Sequence, residues 1–225
     1  MKTNQITIII VSYKSGEILL KCLKNFRSFK KIYILDNSND KKLKNKVLKI
    51  YPHIRFYLSD KNLGYSKSNN FLLNFVKTKY SLLINPDTTI TLNNVIKLIK
   101  AAKLLKDRFN ILTPYNKKFH PSNYYSKKFV STFKNKIYNN IYEIDLVNFY
   151  APLINMNKKK LLRTLDTNLF MYYEDWDLCK RIRDSGGKIY LVLNSLAQHK
   201  SGKSSKSKGY NSKRYFHWGW SFVYY

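Results

Sequence analysis

From residue 6 to residue 84 the chain repeats one pattern: a short β-branched run ending in polar residues, then an amphipathic stretch. The first run, residues 6–13 (ITIIIVSY), is apolar without alternation, as a strand covered on both faces must be. Residues 31–35, 54–58 and 80–84 repeat it. Between the runs, residues 17–29 place Ile18, Leu19, Cys22, Leu23 and Phe26 at helical spacing, 41–51 form a basic amphipathic stretch, and 66–77 carry Phe71, Leu72, Phe75 and Val76. This alternation predicts an α/β domain with a mostly parallel, doubly wound sheet. Such sheets take their ligands beyond the carboxyl ends of the strands. The residues there are Ser12 and Tyr13, Asp36 and Asn37, Asp60 and Asn62, and Asn85 and Asp87. Neither a G-x-G-x-x-G nor a G-x-x-x-x-G-K-[ST] follows the first run, which argues against a dinucleotide site and a P-loop.

The second half is less regular. Residues 91–106 predict a long helix and 111–113 a short strand. Residues 115–142 are polar, aromatic and basic without period, and read as loops with a hairpin near the site. Residues 144–154 read as a strand or strand pair interrupted by Pro152, 158–165 as a short helix, and 188–193 as a strand. Residues 201–208 are Ser, Gly and Lys only and predict a mobile segment before a basic, aromatic tail, whose rings suit either a membrane interface or a final helix packed back on the domain.

Acids are scarce, 13 against 42 Lys and Arg, yet Glu174, Asp175 and Asp177 fall together in FMYYEDWDLCKRIRDSGG. They open a helical pattern that stops at Gly186-Gly187, where carboxylates suit the unpaired N–H groups of the first turn. A capped amphipathic helix with an Asp177–Arg181 pair is the plain reading. A second acidic site at the strand ends makes a functional reading of Glu174 and Asp175 the stronger one.

The net charge of +29 points to an anionic partner: nucleic acid, anionic lipid or a phosphorylated substrate. Most of the basic residues are Lys, whereas base and phosphate readers favour Arg forks, so the charge fits a membrane surface at least as well. Two cysteines, Cys22 and Cys179, make no disulfide framework and point to a reducing compartment. No secretory leader is legible and no apolar run approaches the ~20 residues of a membrane span. The expectation is a cytoplasmic protein, peripheral on the inner face of the cell membrane.

Five segments, in order, resemble one family. Ile10-Val11-Ser12-Tyr13-Lys14-Ser15, Leu35-Asp36-Asn37-Ser38-Asn39-Asp40, Asn62-Leu63-Gly64-Tyr65-Ser66-Lys67-Ser68-Asn69, Leu83-Ile84-Asn85-Pro86-Asp87 and Tyr173-Glu174-Asp175-Trp176-Asp177-Leu178 are similar to the motifs of bacterial family 2 glycosyltransferases of the GT-A fold, in their rhamnosyltransferase-like branch. His199 stands where that family often carries a metal-binding histidine. The resemblance implies a GT-A domain over 1–205 with a tail over 206–225. It implies a nucleotide pocket from Ser12, Tyr13, Asp36, Asn62, Gly64, Lys67, Asn69 and Asn85, and a metal site at Asp87 and His199. Two departures stand out: Asn85 replaces the first acid of the D-x-D motif, and Asn148-Phe149-Tyr150-Ala151-Pro152 lacks the family's Gly-rich turn.

The implied reaction is inverting sugar transfer from a nucleotide diphosphate donor (a dTDP- or UDP-sugar, rhamnose favoured) to a surface-glycan or lipid-linked hydroxyl. Mg²⁺ or Mn²⁺ would serve the diphosphate with few protein ligands. Asp175 is the expected base, with Glu174 as its alternative or as the residue orienting the acceptor. His199 also reads as a surface histidine, and Asp36 as a turn residue. Lys67, Arg181 and Arg183 are candidates for phosphate or acceptor contact, or solvated charges. The rival readings are a basic nucleic-acid-binding protein, for which no module is legible, a nucleotidyltransferase, whose Gly-rich loop is missing, and a catalytically inactive scaffold.

Overall fold

A computed structural model of the chain describes residues 3–126, 132–200 and 210–225. The four N-terminal runs form strands β1 (Ile6–Ser12), β2 (Ile32–Asp36), β3 (Arg55–Leu58) and β4 (Tyr80–Ile84), joined by helices α1 (Gly16–Leu23), α2 (Lys41–Ile50) and α3 (Gly64–Leu73). β2 and β4 flank β1 in parallel register and β3 lies beyond β2. Ile8 and Ile10 join Leu19, Leu23 and Val47 in one apolar cluster, while Ile9 joins Leu72, Leu178 and Ile182 in the other. Both faces are therefore covered, and this explains why β1 shows no polar alternation.

Beyond β4 come β5 (Thr88–Ile90), α4 (Leu92–Leu104), β6 (Ile111–Tyr115), the hairpin β7 (Lys136–Tyr138) and β8 (Ile141–Glu143), β9 (Leu153–Asn155), α5 (Glu174–Asp184), β10 (Ile189–His199) and α6 (Tyr210–Tyr224). The sheet order is β3-β2-β1-β4-β9-β6-β10-β8-β7, with β5 paired to the end of β10. β9 runs against both β4 and β6, and β8 runs against β10. The remaining long strands share one direction, so the carboxyl ends of β1, β2, β4 and β10 open on the same edge.

Several expectations needed correction. Residues 144–152 are not strand: Asp145 and Leu146 N–H both donate to the Tyr124 carbonyl, and only Leu153–Asn155 enters the sheet. Residues 158–165 hold a single turn of 3₁₀ helix, Lys160–Leu162, and α3 stops at Leu73. β5 was not foreseen, and β10 runs six residues past the predicted strand, to His199. Within the tail, Tyr210–Tyr224 forms the helix α6, the second of the two readings its rings allowed. The predicted mobile segment at 201–208, and with it the boundary at 205/206, lies outside the described residues. Among the described residues, no helix is long and apolar enough to cross a membrane.

Candidate active site

A cavity of about 710 Å³ lies where the strand ends meet α5 and α6. Tyr13, Asn62, Gly64, Asn85, Asp87, Glu174, Asp175 and His199 all line it. Sequence positions separated by most of the chain thus meet at one surface.

On one side, Asn85-Pro86-Asp87-Thr88 forms a turn closed by the Thr88 N–H donating to the Asn85 carbonyl at 2.9 Å. Thr88 pairs with His199 in the β5–β10 ladder, and the Lys200 N–H donates to the Asp87 carbonyl at 3.2 Å. This backbone pairing brings His199 Nε2 within 3.1 Å of Asp87 Oδ1. Asp87 Oδ2 is buried with no hydrogen-bond partner. The Tyr150 ring stacks on the His199 imidazole with centroids 5.7 Å apart. A buried carboxylate oxygen left unpaired carries a desolvation cost that a ligand or cation would relieve. Among the described residues, no group of three or more His, Cys, Asp or Glu is arranged to hold a metal ion. A single carboxylate beside one imidazole suits a hard cation that keeps waters and phosphate oxygens, so these residues fit Mg²⁺ or Mn²⁺.

On the other side, α5 begins with the two acids. Asp175 Oδ1 accepts from the Trp176 N–H at 3.0 Å and Oδ2 from the Phe149 N–H at 3.4 Å. Burial pushes its carboxyl up to about 6, against those two N–H donors. Glu174 is pushed up to about 8, by burial first and then by the Asp175 charge, and its Oε2 has no partner. The pair therefore titrates in two separated steps, the pattern that sets an acid apart from a base.

The other residues expected at the nucleotide are placed as follows. Asn62 Oδ1 accepts from the Gly64 N–H at 3.0 Å. Gly64 has φ +78°, and a Cβ there would stand 2.5 Å from the Phe170 carbonyl oxygen, so the turn admits no side chain. Ser12 and Asp36 are fully buried behind the cavity wall rather than on it. Asp36 Oδ2 accepts from the Ser38 hydroxyl and the Ser38 and Asp40 N–H groups, while Oδ1 is unpartnered. Asn69 is buried and donates to the Tyr65 carbonyl, whereas Lys67 is exposed. Neither lines the cavity, because α3 turns its 64–65 end toward it. Arg181 pairs with Asp177 at 2.6 Å and donates to the Thr164 carbonyl, and Arg183 donates to the Asp145 carbonyl. These ties leave both arginines as parts of the scaffold. Among the described residues, no lysine or arginine lines the cavity.

Sequence reasoning passed over four contributors. Asn37 Nδ2 donates to the Ser68 hydroxyl at 2.9 Å and to the Gly64 carbonyl at 3.3 Å, clamping the glycine turn. Tyr65 donates its hydroxyl to the Phe149 carbonyl at 2.8 Å. Phe216 and His217 of α6 complete the wall, with His217 stacked 4.2 Å from Phe170. Asn37 sat among the strand-end polar residues and Tyr65 within the Asn62–Asn69 motif, so both could have been singled out; nothing in the sequence marked Phe216 and His217.

Residues 7–170 match the model of the glycosyl transferase family 2, which is well over half the chain. The chain belongs to glycosyl transferase family 2. The match stops just short of Glu174, Asp175 and His199, so those three rest on the geometry above. The chain is also 25% identical to the rhamnosyltransferase WbbL of Escherichia coli K12, over 89% of this chain and 85% of that one. Among solved structures it superposes on GalNAc-T7 bound to UDP, GalNAc and Mn²⁺ with a TM-score of 0.69 and 14% identity, covering 87% of this chain and 43% of that one. It superposes on the Pyrobaculum calidifontis mannosyltransferase PcManGT, bound to GDP-Man and Mn²⁺, with a TM-score of 0.64 and 11% identity, covering 93% and 59%. These likenesses establish the GT-A fold for this family 2 member, which spans about half the length of those two solved chains.

Proposed function

We propose that this family 2 glycosyltransferase moves a sugar from a nucleotide diphosphate to an acceptor hydroxyl by direct displacement, with inversion. The observation that carries the reading is one cavity lined by two carboxylates that each keep a buried, unpaired oxygen, Asp87 and Glu174. Asp87 and His199 would hold a divalent cation, which when bound would neutralise charge on the departing diphosphate. With no lysine or arginine on the described wall, the cavity itself offers that charge little else. Tyr13, Asn62, Gly64 and Asn85 face the donor, with Ser12, Asp36, Lys67 and Asn69 behind them or outside.

Asp175 takes the acceptor proton as the acceptor oxygen bonds to the anomeric carbon, and the old bond's electron pair leaves with the nucleoside diphosphate. Glu174, holding its proton to higher pH, orients the acceptor. The rhamnosyltransferase relative supports rhamnose as the sugar, and the donors to test first are dTDP-sugars, with UDP-sugars next. The basic, aromatic tail supports a lipid-linked or surface-glycan acceptor met at an anionic cytoplasmic membrane surface.

A thermal-shift series with dTDP-, UDP-, GDP- and ADP-sugars, with Mg²⁺ or Mn²⁺, identifies the donor, because a ligand of the native state raises the melting temperature. Asp87→Ala should remove both the metal-dependent shift and transfer while leaving the fold intact. Full activity of that variant in EDTA would overturn the metal site.

A further inference from the structure

A second, smaller cleft of about 190 Å³ adjoins the acids and is not lined by Asp87. Its walls are Asn148, Tyr172, Tyr173, Trp176, Trp218 and the two acids. Asn148, Tyr172, Glu174 and Asp175 line both spaces, so the carboxylates form the partition between them. Building on the glycosyl-transfer reading, we propose that this cleft seats one pyranose ring of a glycan acceptor, stacked against Trp176 and Trp218, with its hydroxyl turned to Asp175.

Three independent features point to a sugar. First, the rings are reachable: Trp176 is 41% and Trp218 51% exposed, unusual for indoles beside a cavity. They are held by a common anchor, with Tyr173 5.5 Å from Trp176 and 6.5 Å from Trp218. Second, the polar groups are of the right kind. The C–H face of a pyranose meets the negative face of an aromatic ring, and its hydroxyls need carboxylates and amides, which Asp175, Glu174 and Asn148 supply. An acyl chain would leave those polar groups without partners. Third, the backbone is strained at this spot. Tyr172 (φ 74°) and Tyr173 (φ 64°) are consecutive bulky residues in the left-handed region. Each costs of order 1–3 kcal/mol, and such strain persists where the surroundings enforce it, most often at ligand sites. Here it falls immediately before α5, at two residues that line the cleft. Trp218 comes from α6, anchored by the Ser221 hydroxyl on the Met171 carbonyl at 3.0 Å and by Tyr224 on Asp166 at 3.1 Å. The C-terminal helix would thus be part of the acceptor site.

The test is saturation-transfer difference NMR on the full chain with methyl glycosides of L-rhamnose, D-glucose and N-acetyl-D-glucosamine, with n-octyl β-glucoside as the amphiphile. UDP and dTDP binding with Mn²⁺ is measured on the same samples. At least one methyl glycoside should show saturation on one C–H face of its ring. Trp218→Leu and Trp176→Leu should weaken that binding about tenfold, the worth of one aromatic contact, with nucleotide binding unchanged. Trp218→Phe should restore most of it, which a merely structural apolar role would not require. The proposal is overturned if the Leu variants bind as the parent does, if only the octyl chain is saturated, or if no glycoside binds at tens of millimolar while nucleotide does. In that last case the transferase reading survives without the cleft. Glycoside binding in a chain that binds no nucleotide would keep the cleft and sink the donor reading instead.

Discussion

Glu174 and Asp175 are neighbouring carboxylates, and their different surroundings decide which of them ionises first. Two backbone N–H groups serve Asp175, while Glu174 keeps one oxygen unpartnered. The base should therefore be available as pH rises through about 6, while Glu174 keeps its proton to about 8. The expected kcat/KM profile is flat between those two values and falls one decade per pH unit below the lower one. Asp175→Asn should lose about two to four decades of rate, retain nucleotide binding and abolish that acidic limb. A dead Glu174→Gln beside a nearly normal Asp175→Asn would exchange the two roles.

Glu174 also carries a stability prediction. Its carboxyl is raised from 4.5 to about 8 in the folded chain, so the native state binds more protons than the unfolded one between those values. Stability must then fall as pH rises through that window. Glu174→Gln removes the charge that has to be buried. It should raise the melting temperature by roughly 5–10 °C at pH 9, corresponding to about 2–4 kcal/mol, and by little at pH 4. Equal melting curves for the two proteins at pH 9 would mean that solvent reaches Glu174 freely.

At the scale of elements, the start of α3 is the most constrained turn. Gly64 meets the Phe170 carbonyl oxygen, and the Tyr65 N–H donates to the same oxygen at 2.7 Å. Gly64→Ala adds a left-handed strain and a clash with backbone, for a loss of about 2–4 kcal/mol. Chemical denaturation would measure it, and a change under ~0.5 kcal/mol would show that Phe170 moves aside at little cost.

The N-terminal strands and helices were legible because their periods differ and because β1 to β4 are buried on both faces. The acids of α5 were legible because carboxylates are so few in this chain. β5 was invisible: three residues cannot display a period, and Thr88–Ile90 is held by its pairing with β10. Residues 144–152 carry strand-like composition, yet tertiary hydrogen bonds to Tyr124 decide their path. The aromatic content of α6 left two readings open, an interfacial tail or a final packed helix, because aromatic residues lower helix propensity and also suit an interface. Its cavity contribution through Phe216 and His217 depends on a docking that no local pattern encodes.

For the whole molecule, the charge and the outward face of α6 belong together. Val223 is 82% exposed, and Tyr215 and Trp220 are each more than half exposed. Apolar rings beside basic residues favour an anionic interface, where each cation is worth about 1 kcal/mol. The chain should co-sediment with phosphatidylglycerol-containing vesicles at low salt, less at high salt, and little with phosphatidylcholine alone. Replacing Val223 and Trp220 by Ser should weaken that binding severalfold. Equal sedimentation with both lipids would remove charge from the account.

The reversed strand β9 has a consequence for synthesis. The block β1–β4 is complete once Ile84 has been made, but β4 keeps an open edge of apolar residues, YSLLI, until Leu153–Asn155 arrives to pair with it. β6 waits for the same three residues on one side and for β10 on the other. An unpaired apolar edge is a template for association with another chain. During translation the nascent chain thus passes through a long interval in which β4 is paired with β1 on one side only, and Leu153–Asn155 is the segment that closes its other edge.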